Sequence, residues 1–145
     1  MRILLDTHIA LWILSDDPRL SKNARVLIED ETNELYISTV SLWEIEIKNN
    51  KRPDKMKTNA KDFLYYCNQA GFIPLAIDNN HVINLTTLSD KHNDPFDRML
   101  LSQAGFENLK LMTHDSKIIS YDVDYILAVW KMHPLWETLP DTDAF

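Results

Sequence analysis

The chain of 145 residues is long enough to bury a core without disulfides or a structural metal. Its 45% hydrophobic and 26% charged residues are those of a soluble globular protein, and its single cysteine, Cys67, excludes an intramolecular disulfide and a multi-cysteine zinc site. The net charge of -7 speaks at first against a nucleic-acid partner, because phosphate binding usually draws on a basic surface. The opening MRILL is too short for a signal peptide and no later apolar run approaches membrane length, so a cytoplasmic protein without membrane contact is expected.

Along the chain, short apolar runs alternate with longer stretches of helical period. RILL reads as a buried strand and THIALWILS as the helix after it. KNARVLIEDE continues as a helix with Ala24, Leu27 and Ile28 on one face, and ELYIS as a second strand. TVSLWEIEIKNN is a helix whose core stripe, Val40, Trp43 and Ile47, follows the i, i+3, i+7 spacing. From Lys48 to Lys61 the basic residues Lys48, Lys51, Arg52, Lys55, Lys57 and Lys61 face the single acid Asp54, which makes either a solvated connection or a grip for phosphates. AKDFLYYCNQAG is helical and ends at Gly71, FIPLAI is a third strand, and Asp78 to Leu88 is another helix. DPFDRMLLSQAG opens with Asp94 and Pro95 and closes at Gly105. NLKLMT is a fourth strand, a short helix follows Asp115, and YILAVW is a fifth strand. Strands separated by helices predict an α/β fold, a parallel sheet with helices on both faces. Residues 1–131 form the expected domain, and 132–145 a tail that Leu135 and Trp136 dock on the body.

In such a sheet the functional crevice lies beyond the carboxyl ends of the strands. Asp6 directly follows the first strand, Asp115 closely follows the fourth, and Glu44 lies about one and a half turns into the helix leaving the second. Asp97 lies in the first turn of the helix that feeds the fourth strand, a position that need not lie at that edge. Each acid also has a plainer explanation. Asp6 and Asp115 can cap helices, Glu44 can pair with Lys48 at i+4, Asp94 is a competent N-cap, and Asp97 suits the positive end of a helix dipole. Carboxylates gathered at one edge repel one another unless a cation neutralises them. Oxygen-only ligands favour Mg²⁺ or Mn²⁺, the ions that assist phosphodiester hydrolysis, and bound ions would offset part of the negative charge where phosphate approaches. The five histidines show no zinc-ligand spacing. Trp12, Trp43, Tyr65 and Tyr66 sit inside helical patterns and read as core or dimer contacts.

LLDTHIALWIL, YISTVSLWEIEIK, DPFDRMLLSQA and LMTHD, in this order, resemble the PIN-domain nucleases, and most of all the VapC toxins of bacterial toxin–antitoxin pairs. The resemblance runs from about Arg2 to Trp130. It implies a single domain with a central parallel sheet in the order 3-2-1-4-5 and a Mg²⁺- or Mn²⁺-dependent endoribonuclease. It also implies a homodimer inhibited by a VapB-like antitoxin. Carried over residue by residue, the family's acidic quartet falls on Asp6, Glu44, Asp97 and Asp115, as metal ligands and catalytic groups, with hydroxyl support at Thr7, Ser38 and Thr113. Asp94 is left as the cap, and His114 stands beside the quartet. Lys48, Lys51, Arg52 and Lys55 are the expected RNA contacts. A nuclease acting on DNA or on a particular nucleic-acid structure, and a non-catalytic RNA-binding regulator, are the competing readings. A small phosphatase with Asp6 as nucleophile is disfavoured, because His8 stands where a second Asp is usual.

Overall fold

The computed structural model describes residues 1–121 and 123–129. The strands are β1 (Arg2–Leu5), β2 (Glu34–Ser38), β3 (Ile73–Leu75), β4 (Lys110–Thr113) and β5 (Ile126–Ala128). All pair in parallel, in the order β3-β2-β1-β4-β5. The helices are α1 (Thr7–Ser15), α2 (Lys22–Glu29), α3 (Thr39–Lys51), α4 (Ala60–Gln69), α5 (Asn79–Asn84), α6 (Pro95–Glu107) and α7 (Ser116–Ile119). The parallel sheet is the one the strand pattern predicts, and its order is the one the resemblance implies.

β1 is central, and Ile3, Leu4 and Leu5 are fully buried because both faces of a parallel sheet are covered. The strand alternation separates two cores. Ile3, Leu5 and Met112 pack with Ile9, Ala10 and Trp12 of α1, Ala24 of α2, and Phe63 and Cys67 of α4. Leu4 and Leu111 pack with Leu100, Leu101 and Ala104 of α6 and with Ile118 and Tyr121. Each such aliphatic side chain contributes roughly 1.5–3 kcal/mol on burial, so packing rather than propensity stabilises strands this short.

Several local expectations differ. Trp43 is 53% exposed, because α3 buries the neighbouring stripe of Val40, Ser41, Glu44 and Ile45. The inward face of α3 thus carries a carboxylate, and Trp43 meets the Phe96 ring edge-on at 5.0 Å. Trp12 is core, whereas Tyr65 and Tyr66 are exposed. Gly71, in the left-handed region at φ 81°, follows α4 as expected. Gly105 does not end α6. The helix continues to Glu107 and closes at Asn108, at φ 57°. Gly105 instead lets the Tyr125 ring approach, since an added Cβ would stand 3.2 Å from its Cζ. The helix expected from Asp78 to Leu88 is α5 followed by a 3₁₀ turn, Leu85–Thr87. The tail from 132 onward, with Leu135 and Trp136, lies outside the described residues.

Candidate active site at the carboxyl edge of the sheet

Asp6 stands where β1 becomes α1, its N–H donating to the Met112 carbonyl at 3.0 Å. Although it occupies the N-cap position, its side chain makes no capping hydrogen bond. Oδ2 instead accepts from the Thr113 hydroxyl at 2.9 Å, at the end of β4. The same hydroxyl oxygen accepts from the Asp115 N–H at 3.0 Å, so Thr113 ties the ends of two adjacent strands together. Asp6 is 4% exposed, and burial pushes its carboxyl up to about 7; the Thr113 bond opposes this, while the charges of Glu44 and Asp115 add to it.

Asp97 is pushed up further, to about 8, first by burial and then by Asp6, Asp94, Asp115 and Glu44. It reaches the carboxyl edge because a helix returning the chain to a parallel strand must begin where the strands end. That geometry supplies what the sequence reading of Asp97 lacked. Its Oδ2 lies 2.7 Å from His92 Nε2. His92 was missed in the sequence; the signal was its place ahead of a helix cap and five residues before an acid.

Asp94 caps α6, its Oδ1 accepting from the N–H groups of Phe96 (2.9 Å) and Asp97 (3.1 Å), with Pro95 in the first turn. Glu44 is buried on the inner face of α3 and ion-paired with Lys48 one turn on. Burial works against the charge on Lys48, but Glu44, Asp94 and Asp97 together raise its pKa above the usual range. Asp115, partly buried, caps α7 by accepting from the Lys117 N–H at 2.9 Å.

The hydroxyls differ in their engagements. Thr7 shares a 2.8 Å hydrogen bond with Ser41. Ser38 donates to Gln103 Oε1 at 2.6 Å and accepts from the Val40 N–H, which ties β2 to α6 and caps α3. His114 is buried with its ring edge-on to Trp12 at 5.2 Å.

Asp6, Glu44, Asp97 and Asp115 therefore share one electrostatic neighbourhood. Their oxygens are not drawn into one tight cage: among the described residues, the trio with ligand atoms all within 4.8 Å of one another is His92, Asp94 and Asp97. The oxygen donors suit Mg²⁺ or Mn²⁺. They also fit such an ion electrostatically, since a cation relieves the burial and acidic neighbours that push the Asp6 and Asp97 carboxyls up, and Lys48 supplies one positive charge among four acids.

Lys48 also lines a groove of about 1150 Å³ between α1, α3 and α4, together with Lys51, Arg52, Lys55 and Lys57. Its apolar walls include Trp12, Met56 and Phe63. Arg52 is ion-paired with Asp54 at 2.9 Å. His8 lines the groove too, and burial holds its pKa below the usual imidazole range despite the attraction of Glu44. Basic groove and acidic edge thus meet at His8 and Lys48.

The fold has solved counterparts. A chain of the VapBC2 complex from Rickettsia felis bound to a promoter DNA fragment has a TM-score of 0.62 at 17% identity, over 88% of this chain and 97% of that one. A toxin–antitoxin complex from Klebsiella pneumoniae gives 0.59 at 17%, over 90% and 99%. VapBC-1 from nontypeable Haemophilus influenzae gives 0.57 at 17%, over 83% and 92%. At these identities the likeness is one of fold. No curated protein matches the sequence. The sequence pattern described as PIN domain matches residues 3–124, from β1 through α7, and so contains the whole acidic edge. By that match, the chain belongs to the PIN domain family.

Proposed function

We propose that this protein is a Mg²⁺- or Mn²⁺-dependent endoribonuclease, the toxin of a toxin–antitoxin pair. The observation that carries the reading is the buried carboxylate cluster, in which Asp6 and Asp97 are pushed up to about 7 and 8 by burial and by their acidic neighbours. A stability cost of this kind, at the edge of the sheet where α/β folds act, is what a cation site carries when empty of charge compensation.

Asp6, Glu44, Asp97 and Asp115 would hold the ion. When bound, it supplies Lewis-acid polarisation of the scissile phosphodiester and activation of water. The chain's own residues do the rest. Thr113 orients Asp6 and fixes the Asp115 backbone. Lys48 compensates Glu44 before metal enters, and lies where the acidic edge opens into the groove. Lys51, Arg52 and Lys55 hold substrate phosphates along that groove, supplying locally the positive surface that the net charge of -7 lacks.

Residues 1–131 act as the nuclease domain and 132–145 as its tail. The named neighbours are toxin–antitoxin assemblies, which supports a VapB-like antitoxin for this chain; homodimer formation and action in the cytoplasm belong to the same proposal. Among the described residues no helix is long and apolar enough to cross a membrane.

The test is incubation of purified protein with total RNA and with single-stranded DNA, with Mg²⁺ or excess chelator, mapping new 5′ ends by primer extension. RNA cleavage that chelation abolishes and Mg²⁺ or Mn²⁺ restores is expected. Undiminished cleavage in chelator sinks the metal mechanism, and cleavage confined to DNA replaces the substrate.

A further inference from the structure

The segment leading into α6 is held more firmly than a helix cap requires. The Tyr121 hydroxyl donates to the His92 carbonyl at 3.0 Å. Arg98 Nη1 donates to the Ser89 carbonyl at 2.8 Å and to the Tyr121 hydroxyl oxygen at 3.1 Å. The Tyr121 ring meets the His92 ring at 6.5 Å and 62°, and Tyr121 is 5% exposed. Backbone and ring of His92 are thus both gripped, and the product of the grip is a single contact, His92 Nε2 to Asp97 Oδ2 at 2.7 Å.

Resting on the metal reading above, we propose that His92 is a positioning residue: it donates a hydrogen bond to Asp97 Oδ2, orients that carboxylate toward the acidic cluster, and is itself held by the Arg98–Tyr121 clamp. A carboxylate surrounded by other acids turns away from them unless something holds it. Occupying one oxygen with a fixed donor leaves Oδ1 available and removes the rotamer freedom that ion binding would otherwise have to offset. Direct ligation by the trio His92, Asp94 and Asp97 is the weaker arrangement, because His92 Nε2 and Asp97 Oδ2 already satisfy each other at 2.7 Å.

Two variants separate these roles. His92→Phe keeps a ring against Tyr121 and has no donor; His92→Gln places an amide N–H near the position of Nε2. Mn²⁺ binding is measured by titration calorimetry, and melting temperature in chelator checks the fold. His92→Phe is expected to weaken Mn²⁺ binding by about tenfold or more, the usual effect of losing a group that orients a ligand. His92→Gln should stay close to wild type, and both should melt like wild type in chelator. Tyr121→Phe, which removes only the hydroxyl, should weaken binding in the same direction by less, and serves if His92→Phe misfolds. Wild-type Mn²⁺ affinity in both His92→Phe and Tyr121→Phe overturns the positioning role. A loss in His92→Gln as large as in His92→Phe overturns it in favour of direct ligation. Wild-type protein that binds no Mn²⁺ overturns the metal reading itself, and this one with it.

Discussion

Asp94 and Asp97 stand three residues apart and meet opposite demands. Asp94 is half-buried and satisfied by two backbone N–H groups, whereas Asp97 is buried among like charges. Asparagine caps about as well as aspartate, so Asp94→Asn should retain both stability and cleavage, while Asp94→Ala should lose about 0.5–2 kcal/mol in chemical denaturation. Asp97→Asn should lower cleavage by more than about 100-fold, beyond the usual cost of disturbing a group that merely supports a metal ligand. The pH dependence has a definite sign. Asp6 and Asp97 have folded-state values of about 7 and 8 against an ordinary 3.8, so the folded chain holds their protons more tightly than the unfolded one. Their contribution to stability is complete below about pH 4 and is lost as pH rises through 7 and 8. In chelator, Asp97→Asn should therefore melt close to wild type near pH 4 and increasingly above it toward pH 8. The gain is reduced by the roughly 0.3–1 kcal/mol of helix-dipole stabilisation given up. A difference that does not change with pH would contradict this origin of the cost.

At the scale of elements, α6 shows how a local signal is overruled. Gly105 is an ordinary stop signal, yet the helix runs through it because Tyr125 packs against its bare Cα and because Asn108 takes the left-handed position. Asn108→Gly should hold or slightly raise stability, and Asn108→Val should lose roughly 1–2 kcal/mol, the cost of a left-handed residue with a crowded Cβ. Equilibrium urea unfolding of the two variants measures the contrast, and equal stabilities would return the helix end to another cause. α3 makes the same point with its faces. Its apolar residues allow more than one stripe, and the one that packs includes Ser41 and Glu44, leaving Trp43 on the surface beside Phe96.

For the molecule as a whole, an acidic protein can bind RNA only where its few cations gather. Replacing Lys51, Arg52 and Lys55 together by Ala should reduce the slope of log K against log salt for single-stranded RNA by roughly two, with Arg52 contributing least because Asp54 already engages it. Filter binding across a salt series reads the slope, and an unchanged slope assigns the basic stretch to solvent alone.

Much of this architecture is already present in the order of residues. Buried runs such as ILL and LMT separated by helical periods dictate a parallel sheet, and Asp6 directly after the first and Asp115 one residue beyond the second emerge at its carboxyl edge. Asp94 as a cap and the Glu44–Lys48 pair at i+4 are likewise local, set by neighbours within one helical turn. What the chain order could not express is whatever depends on contacts between distant residues. The approach of Asp97 to Asp6 needs the crossover that returns α6 toward β4. The bond from Thr113 to Asp6 joins residues 107 apart, and the clamp of Tyr121 on His92 joins residues 29 apart. Which stripe of α3 is buried, and why Gly105 is a glycine, are settled by what packs against them. A side chain's local periodicity leaves several partners open, and only the assembled core selects one.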